Sequence, residues 1–345
     1  MQLAAGSLIE QSRRFRTALE IALERQDHSL VLLLVANGYD VNAEPDSPLD
    51  RALQLRRLDF LDLLLDWGAD PRRVDLDTLC DTYDSQLYER FRCLGVDFTS
   101  GRALAYALGY HTSNKPLFGF AKRHRLQDPK IQAELDIALA HHTREGNEKG
   151  VMLCLWAGAD PHAAAPVLWG LVGEVDEEDR YSPIYAACSR GHVAILERLK
   201  PDPSLDDYEE LYLCACNEKT VELLARSKLP VNPSRAVAIQ LSRAAWPFRE
   251  DRPVETLQAL FEAGVRWEAS PIQEIARARR DLLKTGDWTF VRLMKLLATD
   301  DYCSREVLTE LARTSSMRER MVKVGLIPPR PRQRSKFDPS SPARA

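Results

Sequence analysis

The chain has 345 residues, a net charge of −4 and 45% hydrophobic residues, the composition of an ordinary folded protein rather than a fibrous or disordered one. No stretch approaches 18 consecutive apolar residues, so no membrane span is predicted, and the first seven residues lack the basic flank and apolar core of a secretion signal. The seven cysteines, an odd number, lie scattered in apolar runs, a usage typical of a reducing compartment, so a cytoplasmic location is expected.

A short segment, residues 1–13, precedes the first periodic run. The Leu-rich stretch from Leu30 to Leu34 ends on Gly38-Tyr39-Asp40-Val41-Asn42, and that from Leu61 to Leu65 on Gly68-Ala69-Asp70-Pro71. Gly95-Val96-Asp97 closes a third run, and Gly158-Ala159-Asp160-Pro161 follows the run from Val151 to Leu155. Each pattern predicts a helix closed by a left-handed Gly and then a turn opened by Asp with Pro or Asn. Gly38 and Gly68 are 30 residues apart, Gly68 and Gly95 27. Self-similarity at such a period predicts a helical repeat array in which each unit buries its apolar face against its neighbours. Segmentation gives roughly ten units, closing near Gly38, Gly68, Gly95, Arg125, Gly158, Pro201, Pro230, Gly264, Ala298 and Gly325. The predicted fold is an elongated all-α solenoid over residues 14–328. Pro328 and Pro329 stop it, and a basic Pro/Ser-rich tail, residues 329–345, is expected to be extended and disordered.

One stretch breaks the period. Gly158 and the next opening at Ser182 are 24 residues apart, which makes residues 166–181 an irregular junction. Val167 to Val172 reads as part of a helix and Gly173 to Arg180 as an exposed loop that protease nicks first.

The repeats resemble those of the ankyrin family. That family's unit is a turn followed by two helices, with a T-P-L-H-x-A opening. Here the opening reads Ser47-Pro48-Leu49-Asp50-Arg51-Ala52 and Ser182-Pro183-Ile184-Tyr185-Ala186-Ala187, more weakly Ser270-Pro271-Ile272-Gln273. Gly191-His192 resembles the family's link between the two helices. The family His, which ties one turn to the next, is replaced by Asp50, Tyr185 and Gln273, so an irregular stack of individually weaker units is expected. The resemblance implies protein recognition through the turns and first helices. Carried onto this sequence, that surface includes Asp46, Asp50, Tyr181 and Tyr185.

Motifs for chemistry are weak. Cys214-Ala215-Cys216 lacks the second ligand pair of a zinc site. His141 and His142 are adjacent, do not form H-E-x-x-H, and read as an exposed loop between helices. No nucleotide-binding glycine motif or nucleophile elbow occurs. No catalytic residue, metal ligand or cofactor is therefore predicted, and the chain is read as a non-enzyme. Trp67 and Trp156, just before helix-ending glycines, are expected to cap the apolar layer. Trp169, Trp246, Trp267 and Trp288 lie near turns, where an aromatic ring can anchor an interface.

Charge is uneven. From Gly264 onward there are 17 Lys+Arg against 10 Asp+Glu, which leaves 30 against 41 before it. Glu174, Asp176, Glu177, Glu178 and Asp179 form one acidic run, and Asp202 to Glu210 holds five more carboxylates. With Trp169, Tyr181 and Tyr185 as anchors, these runs predict binding of a protein with a basic surface, both projecting to one side of the stack. The role expected is an adaptor or scaffold; alternatives are an inhibitor or antitoxin-type protein, and a nucleic-acid-associated protein using its basic C-terminal units. Nucleic acid is the weaker partner because the basic clusters (Lys122 to Arg125, and Arg277 to Lys284) form no continuous stripe.

Overall fold

The computed structural model describes residues 18–42, 47–169, 174–227, 253–263, 288–299, 304–312 and 315–329. Asp46, the opening at Ser270, Trp246, Trp267, the Arg277–Lys284 cluster, residues 1–13 and the tail from Arg330 fall outside them. Among the described residues 66% are helical. The chain divides into two compact units, Met1–Ala186 and Ala187–Ala345.

In the first unit the helices follow in pairs: α1 (Ala18–Glu24) and α2 (His28–Ala36), α3 (Pro48–Gln54) and α4 (Leu58–Asp66), α5 (Leu76–Cys80) and α6 (Ser85–Cys93), α7 (Ala103–Tyr110) and α8 (Lys115–His124), α9 (Pro129–Arg144) and α10 (Glu148–Ala157). The first helices α1, α3, α5, α7 and α9 touch one another in that order, and so do the second helices α6, α8 and α10. Leu23, Leu49, Phe60, Leu64, Phe91, Leu104, Phe118, Phe120 and Leu135 are fully buried. Burying such side chains contributes about 1.5–3 kcal/mol each.

The helices stop as the sequence predicts. Gly38, Gly68, Gly95 and Gly158 all have positive φ. Each donates its N–H to the carbonyl three residues back, and the following residue donates five back, as in Gly68 to Leu65 and Ala69 to Leu64. Six of these ten described helices carry a side-chain cap at their start. Side chains of Asp27, Asp75, Asp84, Asn114, Asp128 and Asn147 accept hydrogen bonds from the first-turn N–H groups of α2, α5, α6, α8, α9 and α10, satisfying donors that a helix cannot pair internally. The carboxylates of Asp27, Asp75, Asp84 and Asp128 thus sit where helix dipoles favour them.

Polar side chains clasp one pair to the next. Asn42 donates to the Gly68 carbonyl at 2.7 Å and accepts from Asp70 N–H at 2.8 Å. Asp50 accepts from Asp75 N–H at 2.8 Å. Asn114 donates to the Cys80 carbonyl at 2.7 Å, and fully buried Glu134 accepts from Ala105 N–H at 3.0 Å and from Arg102 at 2.8 Å. Asp136 accepts from Asp160 N–H at 2.8 Å. His142 Nε2 donates to the Leu108 carbonyl at 3.0 Å while its Nδ1 accepts from Asn147. This corrects the loop expected at His141-His142: α9 runs on to Arg144, and the chain reverses at Gly146, whose φ is +70°.

The junction is also corrected. β1 (Ala165–Trp169) and β2 (Glu174–Tyr181) pair as the two antiparallel strands of a hairpin, in place of the expected helix and loop. The physical reason is length: the six-residue run Val167 to Val172, interrupted by Gly170 and bounded by Pro166 and Gly173, is too short to sustain a helix and equally suits a strand. β1 lies against α9, where Ala165 and Leu168 are buried with Ala105, Ile137 and Ala140.

In the second unit α12 (Val193–Leu199), α13 (Tyr208–Cys214), α14 (Glu218–Ala225), α15 (Pro253–Glu262) and α16 (Trp288–Thr299) follow α11 (Pro183–Arg190), which spans the division between the units. α14 touches α12, α13 and α15, and α15 touches α16. The Gly191 carbonyl accepts from Asn217 at 3.3 Å. α17 (Arg305–Leu311) and α18 (Ser315–Lys323) end the described helices, and Gly325 closes the last one with the same pair of backbone bonds as the earlier glycines.

Two outcomes are expected. Gly→Ala inside a helix ordinarily stabilises by about 0.5–1 kcal/mol, but a Cβ at Gly150 would meet the His142 ring at 2.3–2.5 Å. Gly150→Ala should therefore lower the urea midpoint by the equivalent of ~1–3 kcal/mol, and a raised midpoint would refute this packing. The second concerns pH. Burial pushes the His142 imidazole down to about 4, the Leu108 hydrogen bond opposing and His141 adding, so protonation favours the unfolded chain and stability falls as pH drops from about 6.5 towards 4. Burial pushes the Asp136 carboxyl up to about 6, against the Asp160 and Gln132 hydrogen bonds; it takes up its proton more readily when folded, which offsets the histidine below pH 6. Asp136→Asn removes the offset. Its stability should fall ~2 kcal/mol further than the parent's between about pH 7 and 4.5, and parallel pH profiles would contradict the assignment.

Candidate interaction surface

The hairpin gathers most of the residues expected to bind a partner. Trp169 ends β1 opposite Glu174, and Val167 stands opposite Asp176. Pairing then jumps from Asp176 to Arg180 while β1 advances only from Val167 to Pro166. Glu177, Glu178 and Asp179 therefore form a bulge on β2, the kind of insertion that re-aims a strand. Tyr181 closes β2 opposite Ala165, and its ring lies 5.7 Å from that of Tyr185. Tyr185 belongs to the first turn of α11, where Ser182 Oγ accepts its N–H at 3.1 Å. Both tyrosines are half-buried. The chain thus places an aromatic pair at the base of an acidic strand.

Other expected residues have structural work. Asp50, half-buried, spends one carboxylate oxygen on Asp75 N–H. In the second acidic run Asp202 accepts from Ser204, Asp206 accepts from Asp202 N–H at 2.7 Å, and Asp207 caps α13. That run belongs to the second unit, whereas the hairpin belongs to the first. Trp67 and Trp156 are 48% and 53% exposed, so they do not cap the apolar layer as expected. Trp156 instead receives Lys122 over its ring at 4.2 Å, a cation–π contact between α10 and α8. An aromatic residue just before a helix-closing Gly faces wherever the helical phase puts it, and here that is outward.

Sequence reasoning missed two features of the first unit. Tyr106, Tyr110 and His141 follow one another at 4.7 Å centroid separations with tilted rings, joining α7 to α9. Separately, a cleft of about 450 Å³ opens beside α5 and the start of α7, lined by Arg72, Asp75, Leu76, Asp77, Val96 and Asp97 among others. Asp97 accepts from Thr99 and lies 3.7 Å from Lys130. Asp75 accepts from the N–H and hydroxyl of Thr78. The Asp77 carboxyl is held above the ordinary value by partial burial, then by Asp75 and Asp81, with His111 opposing. The signal was present in Asp75-Leu76-Asp77-Thr78-Leu79-Cys80-Asp81, three carboxylates on one short helix, but the neighbouring Gly95-Val96-Asp97 turn cannot be placed beside it from sequence.

Among the described residues no group of three His, Cys, Asp or Glu side chains could hold a metal ion, and no helix is long and apolar enough to cross a membrane. The buried Cys188 and Cys214 thiols both donate to the Leu211 carbonyl, at 3.0 and 3.3 Å. No protein-family model and no curated protein matches the chain.

If Asp50 serves the neighbouring turn, Asp50→Ala should destabilise the first unit by ~1 kcal/mol, measured by urea denaturation, while Asp50→Asn keeps an acceptor and most of that stability. Equal, unchanged midpoints for both variants would return Asp50 to the pool of free binding residues.

Proposed function

We propose that the chain is an ankyrin-type repeat protein that recognises a dedicated protein partner with a basic surface, acting as an adaptor or scaffold. The observation that supports this reading best is the set of hydrogen bonds that join one helix pair of the first unit to the next at about one-unit separation, such as Asn42 to Gly68 and Asp70. Such repetition yields a regular frame on which turns and first helices carry variable side chains. The irregular pairs, above all the hairpin standing beside α9, favour one partner over many.

The hairpin and the start of α11 are the recognition site in this reading. The carboxylates of Asp176, Glu177 and Glu178 steer a basic partner, which accelerates encounter and makes association weaken with salt. Trp169, Tyr181 and Tyr185 supply the apolar anchors that charges alone do not. None of the six described cysteines is in a disulfide, in keeping with a cytoplasmic role.

The test uses the immobilised full-length chain. The parent should retain a partner in about 50 mM salt and lose most of it by roughly 300 mM. The triple reversal of Asp176, Glu177 and Glu178 to Lys should slow association by at least ~10-fold, and Tyr185→Ala should speed dissociation, both with unchanged circular dichroism. Variants that stay folded and bind like the parent would move the site elsewhere.

A further inference from the structure

We propose that the cleft beside α5 and the start of α7 receives one long cationic side chain, a lysine or arginine, from an extended segment of the protein partner; this rests on the protein-recognition reading and gives it a second point of contact. Two observations carry the proposal. The first is the lining. Val74, Leu76, Val96 and Ala103 give an apolar floor, and Asp75, Asp77 and Asp97 stand around it. Lys and Arg have that character, an aliphatic stem that covers apolar surface and a charged head. The volume of about 450 Å³ lies within the roughly 300–1,000 Å³ usual for ligand sites.

The second is unbalanced charge. Among the residues lining the cleft Asp75, Asp77 and Asp97 stand against one cation, Arg72, and Lys130 lies 3.7 Å from Asp97. Lys130 is placed on Asp97, and Arg72 lies against Gly95, its guanidinium 3.5 Å from where a Cβ would stand. Among the described residues, no hydrogen bond or ion pair holds the Asp77 carboxylate, while Asp75 and Asp81 repel it. A cation laid on the floor of the cleft relieves that repulsion and reaches Asp77 from the open side. The same field rejects an acidic peptide, a phosphate or an anionic membrane.

The probe is N-acetyl-arginine methylamide, titrated into the isotopically labelled full-length chain and read from backbone amide shifts. Saturable shifts are expected at Leu76, Val96 and Ser100. The uncharged citrulline analogue, and the arginine probe on Asp77→Asn, should each bind about fivefold more weakly, the upper end for a solvent-exposed ion pair. Asp77→Lys should abolish the shifts, its fold verified by circular dichroism. Absence of shifts at these amides, equal response to the citrulline compound, or undiminished binding to Asp77→Lys would each overturn the proposal. Because the probe is a small molecule, the result is independent of whether a partner is captured, so the two readings fail separately.

Discussion

The first unit depends on one kind of contact: a polar side chain in one helix pair that captures a backbone group of the neighbouring pair. Asn42, Asp50, Asn114, Glu134, Asp136 and His142 all do this, across sequence separations of 24 to 34 residues. Apolar burial alone is non-directional and would let adjacent pairs slide or rotate. A hydrogen bond to a turn carbonyl or N–H fixes one register, and an unmade bond at a buried group is penalised more than a made bond is rewarded. The register between neighbouring pairs therefore rests on these few side chains.

The chemical variety of the clasps follows from their local surroundings. Where the neighbouring backbone offers an N–H, the capturing group is a carboxylate at Asp50, Glu134 and Asp136 and the amide oxygen of Asn42 at Asp70. Where it offers a carbonyl, the donor is an amide or a neutral imidazole, as at Asn114 and His142. Glu134 is the most demanding case, since it is fully buried and burial raises its carboxyl, with Arg102 and the Ala105 N–H as the compensating partners. Both of its oxygens are engaged, which is the condition for tolerating a buried carboxylate. Arg102 itself adopts a left-handed backbone, φ +62°, immediately before α7. A strained residue, a buried charge and a helix start are thus held together at one point.

Much of the helical layout was legible because its signals are local. A Leu-rich run followed by Gly specifies a helix and its closure within about ten residues, and the bonds at Gly68 and Gly158 follow that specification. The clasps were not legible, since each pairs residues about one unit apart and no two use the same residue types at the same offset. Asp50 was noticed for the position it occupies, yet its partner, Asp75 N–H, carries no side-chain signature. The hairpin was misread because six apolar residues support either period, and contact with α9 decided between them. Of the candidate site, the acidic strand and the two tyrosines stood out in composition. The cleft at Asp77 did not, because it exists only where two turns meet.

The central claim is that clasps set the relation between neighbouring pairs, and amide hydrogen exchange on Glu134→Ala tests it most directly. The account predicts that the Ala105 amide loses its protection and that exchange quickens in α7 and α9, while amides of α3 and α4 keep parental rates, since coupling in a stacked array passes chiefly between neighbours. An Ala105 amide as protected in the variant as in the parent would contradict it.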